Sequence, residues 1–436
     1  MRWMFVFLVT LLIASDFLGH NPGLGPGLSV KNAALYTISL ALMFRMALTG
    51  NFKLRLPGFH MAWGMWIGYA ILTFFTAWLV IHYRNYNELL SAIALKNDLI
   101  DSAIFCFAAF YGIQDERDYR TVLSAIMAAI GVSSVLTLTD LAGLTALGTK
   151  VGESGAEADR VFGAFGHANE TGALLACMLP GVVALALTTR GMQRVFWLGC
   201  SAATALVFVL TVSRGAYAGV AVGYTIAVFM CRRLIPPGKI AAWAISGAVL
   251  AVVSGVAAAI IYPAGAAAIA DRVFGIGSMG LSEASSGRSD IWAQALGEMM
   301  ENPISLITGF GWNVYSTMPT VFAMHNTYLD QWFNLGLLGV AAYVLVYYYS
   351  IMAAKRAAAA SEESSLRADM IAYVFGMLAL AVSVFFGNLY TSKPYFFMYM
   401  GLTARGALFV LDKAAAAKPA AAPAPRLGVG VSLRRA

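Results

Sequence analysis

His325 ends a loop and opens an apolar run in the stretch TVFAMHNTYLDQWFNLGLLG, residues 320–339. It is one of five histidines among 436 residues. An imidazole with an ordinary pKa of about 6.5 accepts a proton near neutral pH, so a hydroxyl held against it becomes a better nucleophile. Two arginines stand in equally unusual places. Arg214 lies in FVLTVSRGAYAGVAVGY, a two- or three-residue turn beside Thr211 and Ser213 with apolar runs on both sides. A charge wedged there calls for an anionic partner. Arg288 opens SSGRSDIWAQALGEMMENP, in which Ile291, Trp292, Ala295, Leu296 and Met299 fall on one helical face and Asp290, Gln294, Glu298 and Glu301 on the other. A helix start already favours anions through its free N–H groups and dipole, so an arginine there is a poor structural choice unless something negative binds. Two guanidinium forks and one base suit a combined chemistry, in which a diphosphate is held and a hydroxyl attacking beside it is deprotonated.

Further polar residues belong to the same reading. Arg160, His167 and Asn169 lie in DRVFGAFGHANETG, amid glycines that permit close backbone approach. Asn326 follows His325, and Tyr315 in GFGWNVYSTMP joins Trp312 and Asn313 as a polar-aromatic lining on which a sugar can stack. Tyr390 and Lys393 are expected to reach the same anionic cleft.

The elements that position these residues must be membrane helices. The chain is 60% hydrophobic and 12% charged, with a mean hydropathy of +0.72, too few charges to cover a water-soluble surface. Apolar residues come in continuous runs of about 20, the length of a helical span and unlike the alternation of barrel strands. About twelve spans are expected, near 3–19, 30–49, 61–81, 97–113, 121–142, 171–188, 195–212, 215–231, 240–262, 327–350, 370–388 and 395–411. The first has no small-residue cleavage site in the right place and is expected to be retained.

Basic residues orient the bundle. With the N-terminus inside, 20 of the 29 lysines and arginines fall on the cytoplasmic side. The net charge of +7 therefore follows topology and gives no reason to invoke nucleic acid. Nine remain outside: Lys31, Arg84, Lys96, Lys150, Arg160, Arg214, Arg272, Arg288 and Lys393. The expected organisation is nine spans over 1–262, an outer loop with its amphipathic helix over 263–326, three spans over 327–411, and a disordered Ala/Pro-rich cytoplasmic tail over 412–436. The four cysteines, Cys106, Cys177, Cys200 and Cys231, lack metal-ligand spacing and read as small core residues.

In this order the segments RVFGAFGHANETGALL, TVSRGAYAGV and the run 287–339 resemble the O-antigen ligase and polysaccharide polymerase superfamily. His325 and Gly336 stand at a spacing similar to that family's H-x10-G signature, whereas Ala218 replaces the leucine often found four residues after the first arginine. The resemblance implies an all-α, C-type glycosyltransferase membrane fold in the bacterial inner membrane, with a large periplasmic loop between spans nine and ten. It implies a donor glycan on undecaprenyl diphosphate and an acceptor that is lipid A–core or a growing polysaccharide. Arg214 and Arg288 would bind the diphosphate and His325 would be the base, with neither a metal nor another cofactor expected. Ligase-type transfer is the leading expectation, and an exopolysaccharide or O-antigen polymerase, which needs the same machinery, is the alternative. A non-catalytic glycolipid transporter is a third, although its charges would be expected near the bilayer midplane rather than at the outer boundary.

Overall fold

A computed structural model describes residues 1–17, 23–49, 55–147, 149–152, 159–236, 238, 252–257, 259–264, 267, 287–317, 324–389 and 392–417. The chain is an all-α polytopic membrane protein, as the composition requires. Its helices are α1 (Arg2–Phe17), α2 (Val30–Thr49), α3 (Pro57–Phe75), α4 (Glu88–Leu95), α5 (Asp101–Gly112), α6 (Glu116–Leu141), α7 (Ala168–Thr188), α8 (Gly191–Leu210), α9 (Arg214–Ala218) and α10 (Tyr224–Cys231). There follow α11 (Arg288–Glu301), α12 (Ser305–Thr308), α13 (Thr327–Ala360), α14 (Ser364–Ser383) and α15 (Lys393–Ala416). Two short antiparallel pairs, β1 (Gly23–Gly25) with β2 (Leu28–Ser29) and β3 (Lys150–Val151) with β4 (Val161–Gly163), accompany them.

Eight helices among the described residues are long and apolar enough to cross a membrane. Large apolar side chains such as Leu48, Val80, Met192 and Phe229 face outward from them, as a lipid-facing surface requires. Most of the expected span at 240–262, together with Lys239, Arg272 and residues 418–436, lies outside the described residues.

Packing rests on small residues that let helices touch. A Cβ built at Gly401 of α15 would lie 1.8 Å from the carbonyl oxygen of Cys106 in α5, and one at Gly376 of α14 would lie 2.0 Å from that of Cys177 in α7. All four cysteines are buried and reduced. Around these seams the aromatic core closes on Phe5, Trp63, Tyr119, Tyr373 and Tyr399.

Two helices depart from the expected limits. The pass expected to begin at 97 begins at Glu88, where Asn87 caps the first turn by accepting from the Leu90 N–H at 2.9 Å, and it runs through a π turn at Lys96–Ile100 into α5. Lys96, expected in an outer loop, is thus helical and paired with Asp101 at 2.9 Å. At the other end of the chain, α13 runs ten residues past the expected 350 because AAKRAAAA is strongly helix-favouring.

Helix α13 is kinked at Gly336, whose φ of 64° and ψ of −168° only glycine adopts without strain. The kink frees the carbonyls of Phe333 and Asn334, which accept from the N–H groups of Phe310 at 2.8 Å and Gly311 at 2.9 Å. A Cβ at Gly336 would lie 2.1 Å from the Ile307 carbonyl oxygen, so the residue is needed for close approach as well. The GFGW stretch is therefore a backbone splint on α13. Two phenols hold it from the other side: Tyr83 donates to the Phe310 carbonyl at 2.9 Å and Tyr86 to that of Trp312 at 2.8 Å.

Candidate functional site

The three residues singled out for chemistry all stand where helices begin. Arg214 is the first residue of α9, after the Thr211–Ser213 turn. Ser213 caps that helix, its hydroxyl accepting from the Ala216 N–H at 3.3 Å. Val212 within the turn is buried with a φ of 49°, a left-handed conformation that costs a β-branched residue of order 1–3 kcal/mol. Arg288 is the first residue of α11, after Gly287 at a φ of 76°. His325, itself at a φ of 48°, immediately precedes Asn326, which caps α13 by accepting from the N–H groups of Tyr328 at 3.0 Å and Leu329 at 3.1 Å. His325, Arg214 and Arg288 are all half-buried.

One short turn after α14, Val384–Asn388, ties these starts together. Its Val384 carbonyl accepts from the Thr327 N–H at 2.9 Å, and its Gly387 carbonyl accepts from the Thr327 hydroxyl at 3.1 Å. Phe385 meets Trp292 of α11 edge-on, with ring centroids 5.5 Å apart, and the Trp292 indole donates to the Met324 carbonyl at 2.8 Å. Phe386 lies against α9, where a Cβ at Gly215 would be 2.5 Å from its own Cβ. A Cβ at Gly387 would lie 3.8 Å from that of Asn169. Gly215 beside Arg214, Thr327 two residues after His325, and Trp292 one helical turn from Arg288 thus contact a single five-residue segment.

Arg160, His167 and Asn169 form the adjoining layer. Arg160 is 2% exposed; its Nε donates to the Thr211 carbonyl at 3.0 Å and its Nη2 to Asn169 Oδ1 at 2.5 Å. Asn169 Oδ1 also accepts from the Ser213 hydroxyl at 3.0 Å. His167 caps α7, its Nδ1 accepting from the Asn169 N–H at 3.1 Å while its ring stacks on Phe162. These side chains clamp the starts of α7 and α9 to each other.

A small cavity of about 70 Å³ opens beside the turn. Thr327 and Asn388 line one side of it, and Tyr315, Trp66, Trp312 and Asn313 bring the expected aromatic and amide groups. Its polar floor is not among the residues expected from sequence: Asp330, Gln331 and Asn334, one to two turns into α13, and Asp98 of the α4–α5 junction. Asn334 Nδ2 reaches Asp330 Oδ1 at 3.2 Å, and Gln331 Oε1 accepts from the Trp66 indole at 2.8 Å. The available signal is an acid inside an apolar span, which is costly and so marks a site. Lys393, at the start of α15, lines this cavity and pairs with Asp98 at 2.5 Å. Tyr390 lies outside the described residues.

Electrostatically this end of the bundle gathers positive helix ends and two arginines, with Glu170, Asp290 and Asp330 in the first turns of three of the helices. α7, α9, α11 and α13 all present N-termini around the turn, and α9 and α11 begin with arginine. Free N–H groups, dipole ends and guanidinium charge add with the same sign. The arrangement can hold an anion among these helix starts.

No curated protein matches the chain. Residues 199–344, about a third of the length, match the family model described as O-antigen ligase. That segment contains Arg214, Arg288, His325 and Gly336, whereas Arg160, His167, Asn169 and Lys393 lie outside it. Over this segment the chain is similar to the O-antigen ligase family, in agreement with the resemblance seen in the sequence.

Proposed function

We propose that the protein transfers a glycan from undecaprenyl diphosphate to an acceptor hydroxyl, with inversion, on the periplasmic face of the bacterial inner membrane. What carries the reading is the common turn at Val384–Asn388, against which the surroundings of Arg214, Arg288 and His325 all pack. The donor diphosphate sits among the helix starts, gripped by Arg214 and Arg288. His325 takes the proton of the acceptor hydroxyl. The acceptor oxygen then bonds to the anomeric carbon from the face opposite the diphosphate as the old carbon–oxygen bond breaks. The electron pair leaves with the diphosphate, whose growing charge the guanidinium groups stabilise.

The neighbouring cavity suits the sugar end of a substrate. Aromatic faces from Trp66, Trp312 and Tyr315 offer stacking, while Gln331, Asn334 and Asp330 offer hydrogen bonds to hydroxyls. Arg160 serves as a positioning residue, since its burial and its bonds to Thr211 and Asn169 set the turn that carries Arg214.

The acceptor decides between ligase and polymerase: the H-x10-G spacing of His325 and Gly336 leans towards ligase, and Ala218 in place of the usual leucine towards an exopolysaccharide-type polymerase. Reconstituted protein is given lipid-diphosphate glycan with and without lipid A–core, and the products are sized on a gel. A ladder from donor alone identifies a polymerase, and a single shifted lipid A–core product a ligase. No transfer in either arm contradicts the proposal and favours transport.

A further inference from the structure

A second cationic site lies at the opposite end of the bundle. α15 starts at Lys393 beside the cavity just described; Arg405 lies twelve residues further along it, about 18 Å at 1.5 Å per residue. There Arg405 lines a pocket of about 400 Å³ together with Arg45, from the last turns of α2, and Arg55, just before α3. By the distribution of basic residues this end is cytoplasmic.

Part of this charge has a structural use. Arg45 Nη2 donates to the Tyr111 carbonyl at 3.2 Å and Arg405 Nε to that of Ile113 at 2.9 Å, so both cap the C-terminal end of α5. Arg55 pairs with Asp412. That accounting falls short. Three guanidinium groups converge against one carboxylate and a helix end of roughly half a charge, and no acidic residue lines the cavity among the described residues. Arg45 Nη1 is buried without a hydrogen-bond partner among the described residues, which is expensive for a charged donor.

We propose that this pocket binds the phosphate of an anionic membrane lipid. Arg45 Nη1 and the guanidinium groups of Arg55 and Arg405 would meet the phosphate oxygens, with Gln114 and Thr49 available to the rest of the headgroup. The acyl chains have a surface to follow: Met43, Phe44 and Leu48, on the same turns of α2 as Arg45, are largely exposed. A basic pocket between spans at the cytoplasmic end, with apolar helix surface beside it, matches the chemistry of a phosphodiester headgroup attached to hydrocarbon.

The test uses the full chain in neutral detergent, with thermal unfolding followed as phosphatidylglycerol, phosphatidylcholine or inorganic phosphate is added. Phosphatidylglycerol is expected to raise Tm by about 3 °C, and the other two by much less. Its half-saturating concentration should rise about tenfold in Arg45→Gln and in Arg55→Gln. The Arg55 side chain is 42% exposed and pairs with Asp412 among the contacts described, so its variant separates lost binding from lost folding. Equal shifts with phosphatidylcholine, or an unchanged phosphatidylglycerol response in both variants, would overturn the proposal. An equal shift with inorganic phosphate would overturn the lipid as the source.

Discussion

The two ends of the bundle use arginine in opposite electrical settings. At the inner end Arg45 and Arg405 lie against the carbonyl end of α5, so backbone and side chain offset one another. At the opposite end, proposed to be the outer one, Arg214 and Arg288 lie on helix starts, where backbone and side chain carry the same sign. An arginine that caps a C-terminus stabilises the fold without a ligand. One at an N-terminus raises the local potential, and a bound anion relieves it. The contrast is the physical reason for assigning the outer pair to the reaction, whereas the lipid proposal rests on what capping leaves over, Arg45 Nη1 and the guanidinium of Arg55.

The contrast can be broken experimentally. His325→Ala is the largest expected effect: transfer in the reconstituted assay should fall by about 10²–10⁴-fold, the range for loss of a general base. Arg288→Lys keeps the charge but loses the planar fork, and turnover should drop about 10–100-fold. The same exchange at Arg55 should leave turnover unchanged, because the inner end takes no part in the reaction. Near wild-type turnover in Arg288→Lys would remove the clamp from the mechanism. Gly336→Ala places a Cβ 2.1 Å from the Ile307 carbonyl at a glycine-only φ/ψ. It should cost at least about 2 kcal/mol of stability, visible as a lower thermal midpoint. Tyr86→Phe removes one hydrogen bond to the Trp312 carbonyl and should cost about 1 kcal/mol with turnover intact.

Much of the fold is legible in the sequence because membrane spans announce themselves by length and hydropathy alone. The amphipathic helix at Arg288 is legible for a related reason: Ala295 and Met299, expected on its apolar face, are fully buried. What cannot be read is what joins distant segments. The turn at Val384–Asn388 is made of valine, phenylalanine, glycine and asparagine, and its backbone carbonyls do the joining. No side-chain pattern signals that. Asn169, Asn326 and His167 are legible as polar residues near the site, but their capping bonds depend on where helices start to within one residue. Lys96 departs from its expected loop for the same reason, since Asn87 starts the helix earlier than hydropathy alone indicates. Asp330 stands in plain view inside an apolar run, and a stricter weighting of buried acids points to the cavity floor.

The central claim is that the outer arginines grip the donor and His325 acts only on the acceptor. Its most direct test is the binding of lipid-diphosphate glycan to purified wild type, His325→Ala and Arg214→Gln, measured beside transfer in the same preparations. The mechanism predicts unchanged donor affinity with lost transfer in His325→Ala, and donor affinity at least about tenfold weaker in Arg214→Gln. Undiminished donor binding in Arg214→Gln, or transfer at the wild-type rate in His325→Ala, would contradict it.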